Sequence, residues 1–164
     1  MISTERLLLR PFRTQDEAEM IALLNNPEFM AYSPSGDMDR HQAKQRFDSL
    51  LTAFDDFGIG KFAVVEESSG ELIGYCGVAY FEYAGCNKVE LGYRLKTTAR
   101  GKGYALEASL ATLSDAKQRG YERVMALSEP SNVVSQHILR KLGFTPLEIG
   151  KYQGMAVQYF EKVM

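Results

Sequence analysis

From Arg100 to Ala105 the chain reads Arg-Gly-Lys-Gly-Tyr-Ala, and from Leu106 apolar residues recur at helical spacing through Leu110 and Leu113. A glycine-rich turn that opens a helix presents backbone N–H groups with no intrahelical partner at the positive end of the helix dipole. A pyrophosphate is a natural occupant of such a place. Gly101 and Gly103 let the backbone approach it without a Cβ in the way, and Arg100 and Lys102 add positive charge. The same glycines could also serve only a tight turn. A nucleoside-triphosphate loop would need Ser or Thr after its lysine, and Lys102 is followed by Gly103. A dinucleotide fingerprint would need its third glycine where Leu106 stands.

Other chemistry-bearing residues are sparse. Cys76 and Cys86 are too far apart for a CxxC motif and lack a histidine cluster, so neither zinc nor redox chemistry is signalled and both read as reduced, half-buried residues. No metal is expected. His41 and His137 each stand alone, and a solvated helix position is the default for such a residue. The formal net charge of -2 argues against a general nucleic-acid binder. No apolar run is long enough to span a bilayer, and the segment from Met1 to Arg10 is too short for a signal peptide, so a cytoplasmic protein is expected.

The elements that must position the glycine turn follow from pattern. With 164 residues, 45% hydrophobic and 24% charged, a single domain spanning 1–164 is expected. Arg6 to Phe12 reads as a strand, Thr14 with Glu17 as a capping box for a short helix, and Asp39 with Gln42 as the start of a second helix through Phe54. Between them Asn26 to Gly36, with Phe29 and Tyr32 among turn formers, suits an ordered loop on a pocket rim. Lys61 to Glu67, Leu72 to Phe81 and Lys88 to Leu95 form an antiparallel meander. The third helix, with Leu106, Leu110 and Leu113 on one face, follows the glycine turn, then a strand at Arg123 to Leu127. A last helix with Val134, Ile138 and Leu142 on one face precedes two terminal strands split near Gly150 to Gly154.

Arg100-x-x-Gly103-x-Ala105 matches the Arg/Gln-x-x-Gly-x-Gly/Ala motif of the GNAT superfamily of N-acetyltransferases, which the chain resembles over nearly its whole length. Thr4-Glu5-Arg6-Leu7 with Leu9-Arg10-Pro11, Glu90-Leu91-Gly92-Tyr93, and Asn132-x-x-Ser135 ahead of Lys141-Leu142-Gly143-Phe144 resemble the RimJ/RimL-like ribosomal-protein-alanine N-acetyltransferase branch. The resemblance implies an α+β fold: a mostly antiparallel, twisted sheet of about seven strands, flanked by about four helices and splayed between its fourth and fifth strands.

It also implies acetyl-CoA as cosubstrate and a protein or peptide α-amine as acceptor; the charge and the lack of a long apolar run leave no nucleic-acid or membrane partner expected, and monomer and homodimer are both open. The pyrophosphate would rest on Gly101, Lys102, Gly103, Tyr104 and Ala105, with Arg100 nearby. The pantetheine arm would pair with the backbone of Tyr93, Arg94 and Leu95 and with Asn132, which could otherwise be an N-cap. Glu90 is the candidate base through water, unless it pairs with an arginine such as Arg94. Ser135 is the candidate donor to the thiolate, unless it is a local capper; the tyrosine that many relatives place seven residues after the asparagine is here Leu139.

Small amines such as polyamines, amino acids or aminoglycosides remain alternative acceptors, since Asp37, Asp39, Asp55 and Asp56 could attract a polycation or be caps and surface charge. A non-catalytic acyl-CoA-binding module is a further alternative.

Overall fold

The computed structural model describes residues 1–164. One eight-stranded sheet runs in the order β1-β2-β3-β4-β5-β6-β8-β7. The strands are β1 (Ile2–Ser3), β2 (Leu7–Arg10), β3 (Lys61–Glu66), β4 (Glu71–Tyr83), β5 (Cys86–Leu95), β6 (Arg123–Ser128), β7 (Thr145–Tyr152) and β8 (Met155–Val163). The helices are α1 (Glu17–Leu24), α2 (Arg40–Phe57), α3 (Tyr104–Gln118) and α4 (Val133–Lys141). Every strand pairing is antiparallel except β5 with β6. The expected mixed fold is therefore present, with one strand more than expected. The extra β1 is two residues long, too short to carry a pattern, and forms because the Thr4 amide folds the chain back onto the Leu7 carbonyl.

The two sheet faces are covered differently. On one, Leu7, Leu9, Val64, Ile73 and Leu91 pack with Ala108, Leu113, Leu139 and Leu142 of the region of α3 and α4. On the other, Ala63, Leu72 and Tyr75 pack with Met20, Leu24, Phe29, Phe47 and Leu50 of α1, α2 and the loop between them. α2 begins as expected, with Asp39 Oδ1 accepting from Gln42 N–H at 2.8 Å and Gln42 Oε1 accepting from Asp39 N–H at 3.0 Å. The first helix starts otherwise: Thr14–Asp16 is a 3-10 turn, and Asp16, not Glu17, accepts the Arg13 amide at 2.8 Å. Asp16 is drawn there because its carboxylate also takes both terminal nitrogens of Arg10, at 2.8 and 2.9 Å, in a buried fork.

Leucine spacing misplaced the buried stripe of α3. Leu110 is exposed, and the buried face is Tyr104, Ala108, Ser109, Thr112, Leu113 and Ala116. Small residues let the helix approach β4, where Cys76 Sγ lies 3.5 Å from Thr112 Oγ1 and 3.7 Å from Ser109 Oγ. Cys76 is thus fully buried and Cys86 exposed, instead of both half-buried; burial pushes the Cys76 thiol up. In α4 likewise Val133 and Val134 are exposed, while Leu139 and the following Leu142 are buried.

Candidate active site

A cleft of about 990 Å³ opens along β5, between the start of α3, the start of α4 and the loop 26–36. Its floor exists because β5 and β6 share only one paired position, Glu90 with Met125, before the strands part. That gap is the expected splay, now between β5 and β6 because β1 adds to the numbering.

At one end stands the glycine turn. Gly103 is the N-cap of α3 at φ +80 and makes no side-chain cap; Gly101 is at φ +75. Both are left-handed values that a glycine adopts without a steric penalty. The amides of Gly101, Lys102, Gly103, Tyr104, Ala105 and Leu106 donate to no protein acceptor, and Gly101, Gly103, Tyr104, Ala105 and Leu106 line the cleft. The turn is held from outside. Arg6 donates from Nη1 to the Lys102 carbonyl (2.8 Å) and from Nε to Glu107 Oε1 (2.8 Å). Glu107 Oε2 also accepts from Thr4 Oγ1 (2.6 Å) and from Arg6 N–H (2.9 Å). Burial raises the Glu107 carboxyl, but these bonds outweigh it and hold the group below the usual carboxylate range. Thr4 and Arg6, which stood in the sequence only as part of a motif, thus brace the turn.

The charges of the turn are placed differently from expectation. Arg100 donates from Nε to the Leu95 carbonyl (3.1 Å) and from Nη2 to the Glu28 carbonyl (3.0 Å), so it ties the end of β5 to the rim loop. Lys102 is outside the cleft lining, with Nζ 5.9 Å from the Tyr104 ring centroid. Tyr104 turns its hydroxyl to Glu66 Oε2 at 2.6 Å. What the turn offers the cleft is therefore its backbone amides and not its charged side chains.

Along the floor, Lys96 N–H donates to the Ile73 carbonyl, which fixes the alternation of the β4–β5 ladder. Arg94 and Gly92 then direct their backbone groups to β4, while Tyr93 and Leu95 direct theirs into the gap. An added strand could be received by Tyr93 N–H and C=O and by Leu95 N–H; the Leu95 carbonyl already has Arg100. The side chain of Arg94 reaches the opposite face and donates from Nη1 to the carbonyls of Phe29 (3.2 Å) and Ala31 (2.7 Å). This fastens the rim loop, in which Tyr32 is held at φ +62.

At the head of α4, Asn132 Oδ1 accepts from Ser135 N–H at 3.2 Å, so the N-cap role is real and the amide nitrogen of Asn132 remains for a ligand. The Ser135 hydroxyl is not a capper. It lies 3.1 Å from Tyr93 Oη, and both residues line the cleft. Burial, only partly offset by that hydrogen bond, pushes the Tyr93 phenol up to about 12, so the phenol is protonated. Sequence reasoning valued Tyr93 for its backbone alone; its side-chain role follows from the alternation of β5, which aims it at α4. Leu139 is buried in the core and supplies no hydroxyl.

Glu90 is on the opposite face of β5 and pairs with Lys61, not Arg94, at 3.1 Å between Oε1 and Nζ. Lys61 Nζ also donates to the Gly77 carbonyl at 3.1 Å. Glu90 Oε2 has no hydrogen-bond partner in the protein, and both residues line the cleft. His137 is exposed at the cleft mouth, and His41 is exposed outside it. Asp37, Asp39, Asp55 and Asp56 are not part of the lining.

A turn of unpartnered amides, a free strand edge and a hydroxyl pair thus stand around one splayed gap. Residues 6–145 match the family model described as acetyltransferase (GNAT) domain, so the chain belongs to the GNAT acetyltransferase family and is an acyltransferase of that family. An uncharacterized N-acetyltransferase of Bacillus subtilis, YnaD, is 28% identical over 87% of this chain and 81% of its own length. The acetyltransferase of Agrobacterium tumefaciens superimposes with a TM-score of 0.85 at 23% identity, over 99% of this chain and 94% of that one. RimL, a ribosomal L7/L12 alpha-N-protein acetyltransferase solved in complex with coenzyme A, has a TM-score of 0.77 at 16% identity, over 98% of this chain and 96% of its own.

Proposed function

We propose that the protein transfers acetyl from acetyl-CoA to an α-amine by direct attack with both substrates bound, and that it is kin to the RimJ/RimL-like branch. The observation that carries the reading is the row of unpartnered amides from Gly101 to Leu106, opening on the same cleft as the free edge of β5. A Cβ at Gly101 or Gly103 would be strained at those φ values, and no protein side chain competes for the amides, so the turn suits a diphosphate. The free backbone edge of Tyr93 and Leu95 and the uncommitted amide nitrogen of Asn132 support pairing with the amides of a pantetheine arm.

The thioester supplies an activated acetyl group; the chain supplies the rest. Leu95 N–H, aimed into the gap, is placed to stabilise charge developing on the carbonyl oxygen. Ser135 donates a hydrogen bond that stabilises the departing thiolate, its hydroxyl oriented by the Tyr93 phenol, and the thiolate then takes its proton from water. Glu90 Oε2 takes the proton of the amine through water, with Oε1 held by Lys61. An α-amine, with a pKa of ~7.7 to 8.0 against ~10.4 for lysine, is neutral often enough at pH 7 to need only such a modest base.

The test is to follow free-thiol release with acetyl-CoA and a panel of amines, with calorimetry of coenzyme A binding in parallel. Thiol release with α-amines is expected. Binding without release for any amine would convert the reading to a coenzyme-binding module, and absence of binding would remove it.

A further inference from the structure

The acceptor half of the cleft carries charges that do not cancel. Residues alternate along β5, so Glu90 and Arg94 share the face covered by α2 and the rim loop, where Lys61 and Arg46 also line the cleft. Lys61 is matched by Glu90. Arg94 gives N–H groups to the carbonyls of Phe29 and Ala31, which uses donors but leaves its charge uncompensated. Arg46, half-buried on α2, has no carboxylate and no hydrogen-bond acceptor in the protein. Its neighbour Asp48 is engaged by Lys44 at 2.8 Å, and Glu17 is engaged by the same lysine.

Tyr152 locates Arg46 with respect to the reacting end. Burial and then the charge of Glu90 push its phenol up, while Arg46 pulls it down, so the phenol is within electrostatic reach of both. Arg46, Glu90 and Tyr152 line the same cleft. A half-buried guanidinium without a partner is a fork of donors shaped for a carboxylate. A polyamine or aminoglycoside would add cations to a wall where Arg46, Lys61 and Arg94 outnumber the carboxylate of Glu90, the other lining carboxylate, Glu129, standing before α4 and accepting from Ser131.

We propose that Arg46, assisted by the charge of Arg94, forms an anion subsite, and that the favoured acceptor is an α-amine with a carboxylate a few bonds from its nitrogen. A free amino acid supplies this chemistry, and so does a peptide with an acidic residue at its N-terminus. The subsite rests on the acetyl-transfer reading above.

Two matched pairs test it: alanine against alaninamide, and an Asp-Ala-Ala amide peptide against its Asn counterpart, with rates compared at equal neutral-amine concentration. In at least one pair kcat/KM should be about 10-fold higher for the carboxylate member, the gain of one charge-assisted hydrogen bond. Preference within the first pair assigns the free amino acid, and preference within the second the acidic N-terminus. Arg46→Gln should collapse the preference, Arg46→Lys should keep part of it, and coenzyme affinity by calorimetry should stay as in the parent in both. Equal rates within both pairs, or a preference that survives Arg46→Gln, would overturn the subsite while leaving acetyl transfer intact. Absence of thiol release with every amine would instead remove the transfer reading, and the subsite with it.

Discussion

The two ends of the cleft are built from different materials. The end proposed for the coenzyme is backbone: free amides from Gly101 to Leu106 and the free edge of Tyr93 and Leu95, with the nearby arginines tied to carbonyls as braces. The end proposed for the acceptor is side chains: Glu90, Lys61, Arg46, Arg94 and Tyr152. A backbone site is indifferent to most side chains but demands glycine where the ligand comes close. A side-chain site can be respecified by one substitution without disturbing the fold.

The sharpest way to break this contrast is at Gly103. Gly103→Val forces a β-branched residue into a left-handed conformation at φ +80 and displaces the amides on either side. The loss of two charge-assisted hydrogen bonds predicts coenzyme A affinity about 100-fold weaker by calorimetry. Unchanged affinity would mean that the anion is bound elsewhere.

Next comes the hydroxyl pair between the two ends. Ser135→Ala should lower kcat about 10-fold, the scale of one hydrogen bond made to a charged group, while coenzyme affinity barely changes. Tyr93→Phe should lower kcat less, because it only frees the serine hydroxyl to rotate. A larger loss with Tyr93→Phe than with Ser135→Ala would reverse the assignment of donor and orienter.

Smaller still is the effect of loosening the brace. Glu107→Gln keeps the shape but weakens the bonds to Arg6, and coenzyme affinity should fall about 3-fold, with acceptor KM unaffected. An equal change in acceptor KM would mean that the two ends are coupled.

The last prediction concerns acid. Burial raises the Asp16 carboxyl, but the hydrogen bonds from Arg10 and Arg13 outweigh it and set the folded value below the unfolded one. Stability from this group is therefore complete above the unfolded value of ~3.9 and is lost as pH falls through the lower folded value. Melting temperatures from pH 6 to pH 3 should decline at the acid end, and Asp16→Asn should flatten that decline.

What the sequence revealed follows the same division. Gly101, Gly103 and the helix after them announced the turn of unpartnered amides, because a left-handed backbone leaves a glycine trace. The order of strands and helices was legible because the continuous β-rich apolar runs of β3 and β4 and the Asp39–Gln42 cap are local signals. The place of Arg46 in the cleft was not, since α2, β5 and the rim loop meet only through tertiary packing. Nor could spacing pair Glu90 with Lys61, which lies on a strand two places away in the sheet. Leu110 misled because α3 buries its small residues, not its large ones, where it must sit close to Cys76.

A sheet joined across β5 and β6 at a single rung has a seam. Whatever fills that seam becomes part of the masonry, receiving the bonds that a neighbouring strand would have received. Cosubstrate occupancy should then stiffen amides far from any reacting atom, in β6 and β8 as well as β5, so that hydrogen exchange across the whole seam would slow together when coenzyme is added.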